Sequence, residues 1–299
     1  MDTRFWGPSG WKLLHLICYT YPEKPEQADI QNYGVFMYSL KYVLPCKYCR
    51  MSFSDYLDDL PIEGYLSSRS RLRKWIYLMH NKVNKKLRSQ GLLNYPDPTL
   101  SEVDKNYKEM LKTPCLMPGW DFLYCIAFNF PKKKDITIEK VLYYITFFEK
   151  LSEVLPCPVY RKHFQKIIEK NPPQKALNQR STLTKWLYNI NCQINKIIKE
   201  GKPKYNNICF TYESHRAGAC EKKNHKGVTC RSKKEKKDLG LNNNNNNSDL
   251  NNSTLGADSL NNLKKKLANQ RKTKKKSRKT GKSRKTGKSK SSKSSKSKK

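Results

Sequence analysis

Leu44-Pro45-Cys46-Lys47-Tyr48-Cys49-Arg50-Met51-Ser52-Phe53 and, 111 positions later, Leu155-Pro156-Cys157-Pro158-Val159-Tyr160-Arg161-Lys162-His163-Phe164 are two versions of one stretch. The same shift carries Tyr33, Phe36 and Leu40 onto Tyr144, Phe147 and Leu151. It carries Lys74-Trp75 onto Lys185-Trp186, Tyr77 onto Tyr188 and Asn84-Lys85 onto Asn195-Lys196. A shift of 109 places Gly10-Trp11 on Gly119-Trp120 and Pro22 on Pro131. Rare residues that recur in order are poorly explained by shared helical periodicity alone. The chain therefore reads as a duplicated unit, residues 1–100 and 115–202, joined through Pro96, Pro98 and Pro114.

Each unit reads as a helical bundle. In the first, helices are expected over residues 9–21, after Pro8 and before Pro22, and over 30–44, closed by Pro45. A third is expected from Cys46 to about residue 57. The fourth, over 69–87, has Leu72, Ile76, Met79, Val83 and Leu87 at helical spacing, with Gly91 as a C-cap signal. No convincing strand alternation is found, so the class is all-α. The copies differ where chemistry resides. Cys49 becomes Tyr160, His15 becomes Tyr124, His80 becomes Asn191, Asn81 becomes Cys192 and Trp6 becomes Cys115. Packing residues recur while polar and redox residues do not, so the first copy reads as active and the second as structural.

The remainder is a different polymer. Residues 264–299 hold 19 Lys or Arg and no acid, which is +19 of the formal +36 of the 299-residue chain. An Asn-rich stretch precedes them. Residues 1–235 hold all five Trp, all eighteen Tyr and all ten Cys, so a packed region is expected there and a disordered tail over 236–299. The longest apolar run, residues 141–148, is far too short to span a bilayer, and Met1-Asp2-Thr3-Arg4 does not open a signal peptide. Ten cysteines without an export signal point to metal or redox chemistry.

Cys46-Lys47-Tyr48-Cys49 is a CxxC at a helix start, where the helix dipole, Lys47 and Arg50 favour a thiolate. Structural zinc needs two further ligands at suitable spacing, and no other cysteines form such a pair. A thioredoxin-like site needs a strand before the motif, and the flanks here are helical. The third reading is a dithiol that passes electrons to a bound organic cofactor. For that reading the same copy offers Trp6-Gly7, then Trp11, His15 and Tyr19 along one helical stripe. It also offers His80 and Asn84 on one face of the fourth helix. An aromatic stripe alone is more often core than a cofactor box.

Taken together, Trp6-Gly7-Pro8-Ser9-Gly10-Trp11-Lys12-Leu13-Leu14-His15, Pro45-Cys46-Lys47-Tyr48-Cys49 and His80-Asn81-Lys82-Val83-Asn84-Lys85-Lys86-Leu87 resemble the Erv/ALR FAD-linked sulfhydryl oxidases. The resemblance covers about residues 1–100. It implies a compact four-helix bundle with an added short helix, enclosing FAD, followed by a degenerate second bundle like the pseudo-oxidase domain of larger family members. It implies that Cys49 lies against the flavin and that Cys46 exchanges with an incoming dithiol. Trp6, Gly7, Trp11, His15 and Tyr19 would line the flavin. His80, Asn81, Asn84 and Lys86 would hold its adenine, ribose or phosphate end. The implied partners are dithiol protein substrates and molecular oxygen, with hydrogen peroxide as product. The family often pairs as a homodimer, and two bundles in one chain could pair internally instead. One departure stands out: no cysteine lies between Cys49 and Cys115 to staple the adenine end, so another clamp is needed, with the second bundle as the candidate. The Asn runs, the basic tail and the absence of a targeting signal look like a large-DNA-virus version, placing the chain in host cytoplasm, viral factory or virion.

Cys209, His215, Cys220, His225 and Cys230 in residues 203–235 read equally as shuttle thiols or zinc ligands, with inert thiols as the bland alternative, and no metal site is assigned. The tail repeats Ser277-Arg278-Lys279-Thr280-Gly281-Lys282 as residues 283–288 and suits a polyanion, nucleic acid or anionic membrane. The rival to the oxidase reading is a non-enzymatic nucleic-acid-binding or packaging protein with a helical module and a basic arm.

Overall fold

The computed structural model describes residues 1–113 and 118–216. Among them every regular element is a helix. The first half holds α1 (Thr3–Tyr19), α2 (Gln27–Val43), α3 (Lys47–Asp59), α4 (Arg69–Ser89) and α5 (Leu100–Met110). The second holds α6 (Trp120–Phe128), α7 (Ile138–Val154), α8 (Pro158–Lys170), α9 (Arg180–Ile197) and α10 (Tyr205–Ser214).

Local chemistry sets most boundaries. α1 starts six residues before the expected position, because Asp2 caps it by accepting the Arg4 N–H at 2.9 Å and Pro8 is carried inside the helix. Pro45 ends α2. α4 closes in a Schellman motif: Gly91, at φ 66°, donates to the Arg88 carbonyl at 3.0 Å, and Leu92 donates to that of Leu87 at 2.9 Å. α5 falls in the stretch read as the end of the first unit and the start of its linker. Thr99 and Glu102 form a reciprocal capping box at its start. α10 likewise lies beyond residue 202, within the expected Cys/His segment.

The duplication extends to individual hydrogen bonds. Trp75 Nε1 donates to the Leu60 carbonyl at 3.0 Å, and Trp186 Nε1 to that of Asn171 at 2.9 Å. Arg50 and Arg161 donate to the Leu44 and Leu155 carbonyls. Arg69 and Arg180 reach Tyr21 and Phe130, and the Tyr77 and Tyr188 hydroxyls reach Pro98 and Pro203. A ring stack recurs as well: His15 lies on Tyr107 at 4.5 Å, and Tyr124 on Tyr212 at 4.9 Å. The fifth helix of each half is therefore part of the repeat.

The halves pack like helix on like helix. α2 lies along α7, with Phe36 stacked on Phe147 at 5.6 Å and Tyr42 on Tyr143 at 3.7 Å. Lys150 donates to the Asn32 side chain at 2.9 Å. α1 crosses α6 at two glycines. A Cβ on Gly10 would meet the Phe122 ring at 3.1 Å, and one on Gly119 would meet Leu13 at 2.7 Å. Leu13 and Phe122 are equivalent under the 109-residue shift, so these contacts are reciprocal. No helix among the described residues is long and apolar enough to cross a membrane.

Candidate active site

The extended backbone of Cys46 sets it as the N-cap of α3, its Sγ accepting the Cys49 N–H at 3.2 Å. Cys46 and Cys49 form a disulfide, with their Cα atoms 5.1 Å apart. When that bond opens, Cys49 stands in the first turn of α3, where the helix dipole stabilises a thiolate. The second half keeps the cap and drops the couple: Cys157 accepts the N–H of Tyr160, the residue that replaces Cys49.

Cys49 lies in the wall of a cavity of about 510 Å³, lined mainly by the first half and within the size range of small-molecule sites. From α1 it is walled by Trp6, Gly7 and Trp11, and from α4 by His80, Asn84 and Lys86. These are seven of the eleven site residues singled out in the sequence. The other four stand elsewhere. Cys46 is only 1% exposed, and the Met1 amino group donates to the carbonyl of the preceding residue, Pro45, at 3.1 Å. His15 sits behind His80, ring nitrogens 3.2 Å apart. Tyr19 is turned to Asp104, which also holds Arg73, and is not a lining residue. Asn81 is half-buried on α4 and outside the lining.

Several lining residues were not anticipated: Ser52 and Tyr56 from α3, Tyr107 from α5, and Phe122 from the second half. Ser52 and Tyr56 follow Cys49 at i+3 and i+7, one helical face, which the sequence could have shown. Tyr107 was hidden because its helix lies in the stretch that reads as a linker.

The α4 end is clamped by Asp97. It takes a two-pronged contact from Arg88 at 2.9 and 2.6 Å and accepts from Asn84 at 2.8 Å. This ion pair ties the loop after α4 back onto the helix in a stretch that has no cysteine. The Arg88 guanidinium holds the Asp97 carboxyl below the usual carboxylate range. Lys86 reaches Ser52 at 2.6 Å across the cavity, and burial lowers its pKa.

The residues suit a large, partly aromatic ligand with an anionic end. Trp11 and His80 stack at 3.9 Å, Lys86 supplies a cation, and Trp6 Nε1 is buried without a hydrogen-bond partner. Buried polar atoms left unpaired are costly, and a bound ligand is one way to satisfy them.

Both imidazoles are neutral at pH 7. Burial, with the neighbouring His80 second, pushes His15 down to about 3. Burial pushes His80 down to about 4 against the opposing pull of Asp97. Folding therefore keeps its full benefit above the ordinary imidazole value of 6.5 and loses stability as pH falls through the window toward 4 and 3. Between pH 7 and 5 urea denaturation should show a loss on the order of 1–2 kcal/mol from each imidazole. The double variant His15→Tyr with His80→Asn, which installs the second half's residues, should flatten that slope. An equally steep slope in the variant would contradict the assignment.

Among the described residues no group of three or more His, Cys, Asp and Glu could hold a metal. Cys209 lies half-buried on α10 and His215 stacks on Phe5 at 3.7 Å. Cys115, Cys220, His225 and Cys230, and the whole Asn-rich and Lys-rich tail, lie outside the described residues.

Comparison with known proteins agrees with this geometry. A model of the Erv1/Alr family matches the chain twice, over residues 8–108 and 117–214. The "Probable FAD-linked sulfhydryl oxidase R368" of Acanthamoeba polyphaga mimivirus is 38% identical over 98 residues, 32% of this chain and 68% of that protein. The "Mitochondrial FAD-linked sulfhydryl oxidase ERV1" of Saccharomyces cerevisiae is 33% identical over 87 residues, 29% of this chain and 45% of that protein. The "FAD-linked sulfhydryl oxidase" of African swine fever virus is 31% identical over 84 residues, 27% of this chain and 67% of that protein. No solved structure matches. With two matches that together span about two thirds of its length and a CxxC couple set in an aromatic cavity, the chain belongs to the Erv1/Alr family.

Proposed function

We propose that the chain is an FAD-dependent thiol oxidase that forms disulfide bonds in protein substrates and delivers the electrons to oxygen, giving hydrogen peroxide. The observation that carries this reading is the Cys46–Cys49 disulfide with Cys49 in the cavity wall. Bound in the cavity, FAD supplies a two-electron acceptor that oxygen re-oxidises. Trp6, Trp11 and His80 would hold its rings, with His15 behind them, and Lys86 and Asn84 its polar end. Tyr19 and Asn81 would support the site through their helices.

The thiol chemistry belongs to the chain itself. A substrate thiolate attacks Cys46 Sγ, the Cys46–Cys49 bond breaks, and Cys49 leaves as a thiolate stabilised by the start of α3. The second substrate thiolate then attacks the substrate sulfur of the mixed disulfide and Cys46 leaves. The substrate has lost two electrons and two protons, and the pair has gained them. Because Cys46 is buried, the first attack requires the start of α3 to open locally.

The packing of α1 on α6 and α2 on α7 supports a pairing of the two bundles within one chain in place of a homodimer. The charge of residues 264–299 supports a polyanion contact through the tail. The rival reading, a packaging protein with no enzymatic role, gives no reason for a disulfide set in a cavity wall. An oxygen electrode tests the proposal. With dithiothreitol the purified full chain should consume oxygen and release one peroxide per oxygen consumed. Inert protein containing bound flavin would contradict it.

A further inference from the structure

The second half lacks a CxxC couple, yet one of its side chains lines the cavity of the first. Phe122, fully buried on α6, stands beside Gly10 and stacks on Trp6 at 5.6 Å with ring planes 29° apart. Three features fit its ring to this place. Gly10 has no Cβ, and one added there would come within 3.1 Å of the ring. The Phe122 N–H donates to the Ser9 hydroxyl at 3.4 Å, fixing the start of α6 against α1. Across the pseudo-symmetric contact the first half carries the smaller Leu13, which does not line the cavity. Phe122 thus exceeds what the reciprocal packing uses at the equivalent position, and the excess faces the site.

We infer that the second half completes the cofactor site: Phe122 closes its α1 side and holds the Trp6 indole in place, so flavin retention depends on this residue. The indole has reason to be held. Its Nε1 is buried without a partner, and an indole free to swing would lose its orientation toward the cavity. Phe122 is a positioning residue, outside the thiol relay. The inference rests on the cavity being a flavin site.

The test compares the full-length wild type with Phe122→Ala, Phe122→Leu and Leu13→Ala. Each is stripped of cofactor and titrated with FAD by flavin fluorescence, with urea denaturation in parallel. Phe122→Ala should weaken FAD binding about tenfold, equivalent to about 1.4 kcal/mol. It should also shift the bound-flavin absorption maximum. Phe122→Leu, carrying the first half's residue, keeps the interface filled and should fall between Phe122→Ala and wild type. It also serves if the alanine variant does not fold. Leu13→Ala should lower the urea midpoint while leaving FAD affinity within about twofold. Equal loss of affinity in Leu13→Ala and Phe122→Ala would reduce Phe122 to an interface residue and overturn the inference. Unchanged affinity and spectrum in both Phe122 variants would also overturn it. A wild type that takes up no FAD would remove the underlying oxidase reading, an outcome distinct from these.

Discussion

Cys49→Ser should abolish dithiol-driven oxygen uptake, by on the order of a thousandfold or more, while the protein still takes up FAD. Cys49 is the member of the couple that lines the cavity, whereas Cys46 is buried at the helix cap. Serine keeps the shape of the wall but cannot form the disulfide and gives no thiolate to leave when substrate attacks. Cofactor uptake survives because the wall is shared by rings from α1, α4 and α5, of which Cys49 is not one. The assay is steady-state oxygen consumption, paired with the visible spectrum of the same sample. A yellow Cys49→Ser protein at full turnover would show that electrons travel by another route.

Phe36→Ala should destabilise the folded chain by about 3–5 kcal/mol and shift a single cooperative unfolding transition. Phe36 is fully buried and stacks on Phe147 across the most extensive contact between the halves. Removing its ring leaves a void that α2 and α7 cannot easily close, because Tyr42–Tyr143 and Lys150–Asn32 hold the helices to either side. Each half depends on the other to cover its α2-type face, so both should unfold together. Two separate transitions in urea, with the second half's midpoint unchanged by the substitution, would show that the halves are independent bundles.

The repeat and the site were legible to different depths. Trp75 and Arg50 recur with their partners because each supplies a side-chain hydrogen bond to a backbone carbonyl, and such residues are hard to replace without leaving that carbonyl unpaired. That is why a fixed sequence shift found the duplication. The lining residues on α1 and α4 could be read because a helix brings i, i+3 and i+4 to one face. His15 and Tyr19 share that stripe with Trp11, but the stripe continues past the end of the cavity. There Tyr107 covers His15, and Asp104 takes the Tyr19 hydroxyl. Where a stripe leaves a cavity is decided by the packing helix, α5, and the position of α5 was not legible because three prolines nearby suggested a linker. Its signal was present in Thr99-Leu100-Ser101-Glu102, a capping box. The Asp97 clamp and Phe122 were illegible for another reason. Both depend on tertiary placement, a loop folding back on α4 and a helix of the other half, and no local pattern encodes either.

The visible absorbance spectrum of the purified full-length chain bears most directly on the central claim, that Cys49 of the Cys46–Cys49 couple faces a flavin held in the cavity. A yellow protein whose flavin bands bleach when dithiothreitol is added without oxygen, and return on aeration, is the predicted result. A folded, colourless protein that gains no flavin absorbance when supplied with FAD would contradict it.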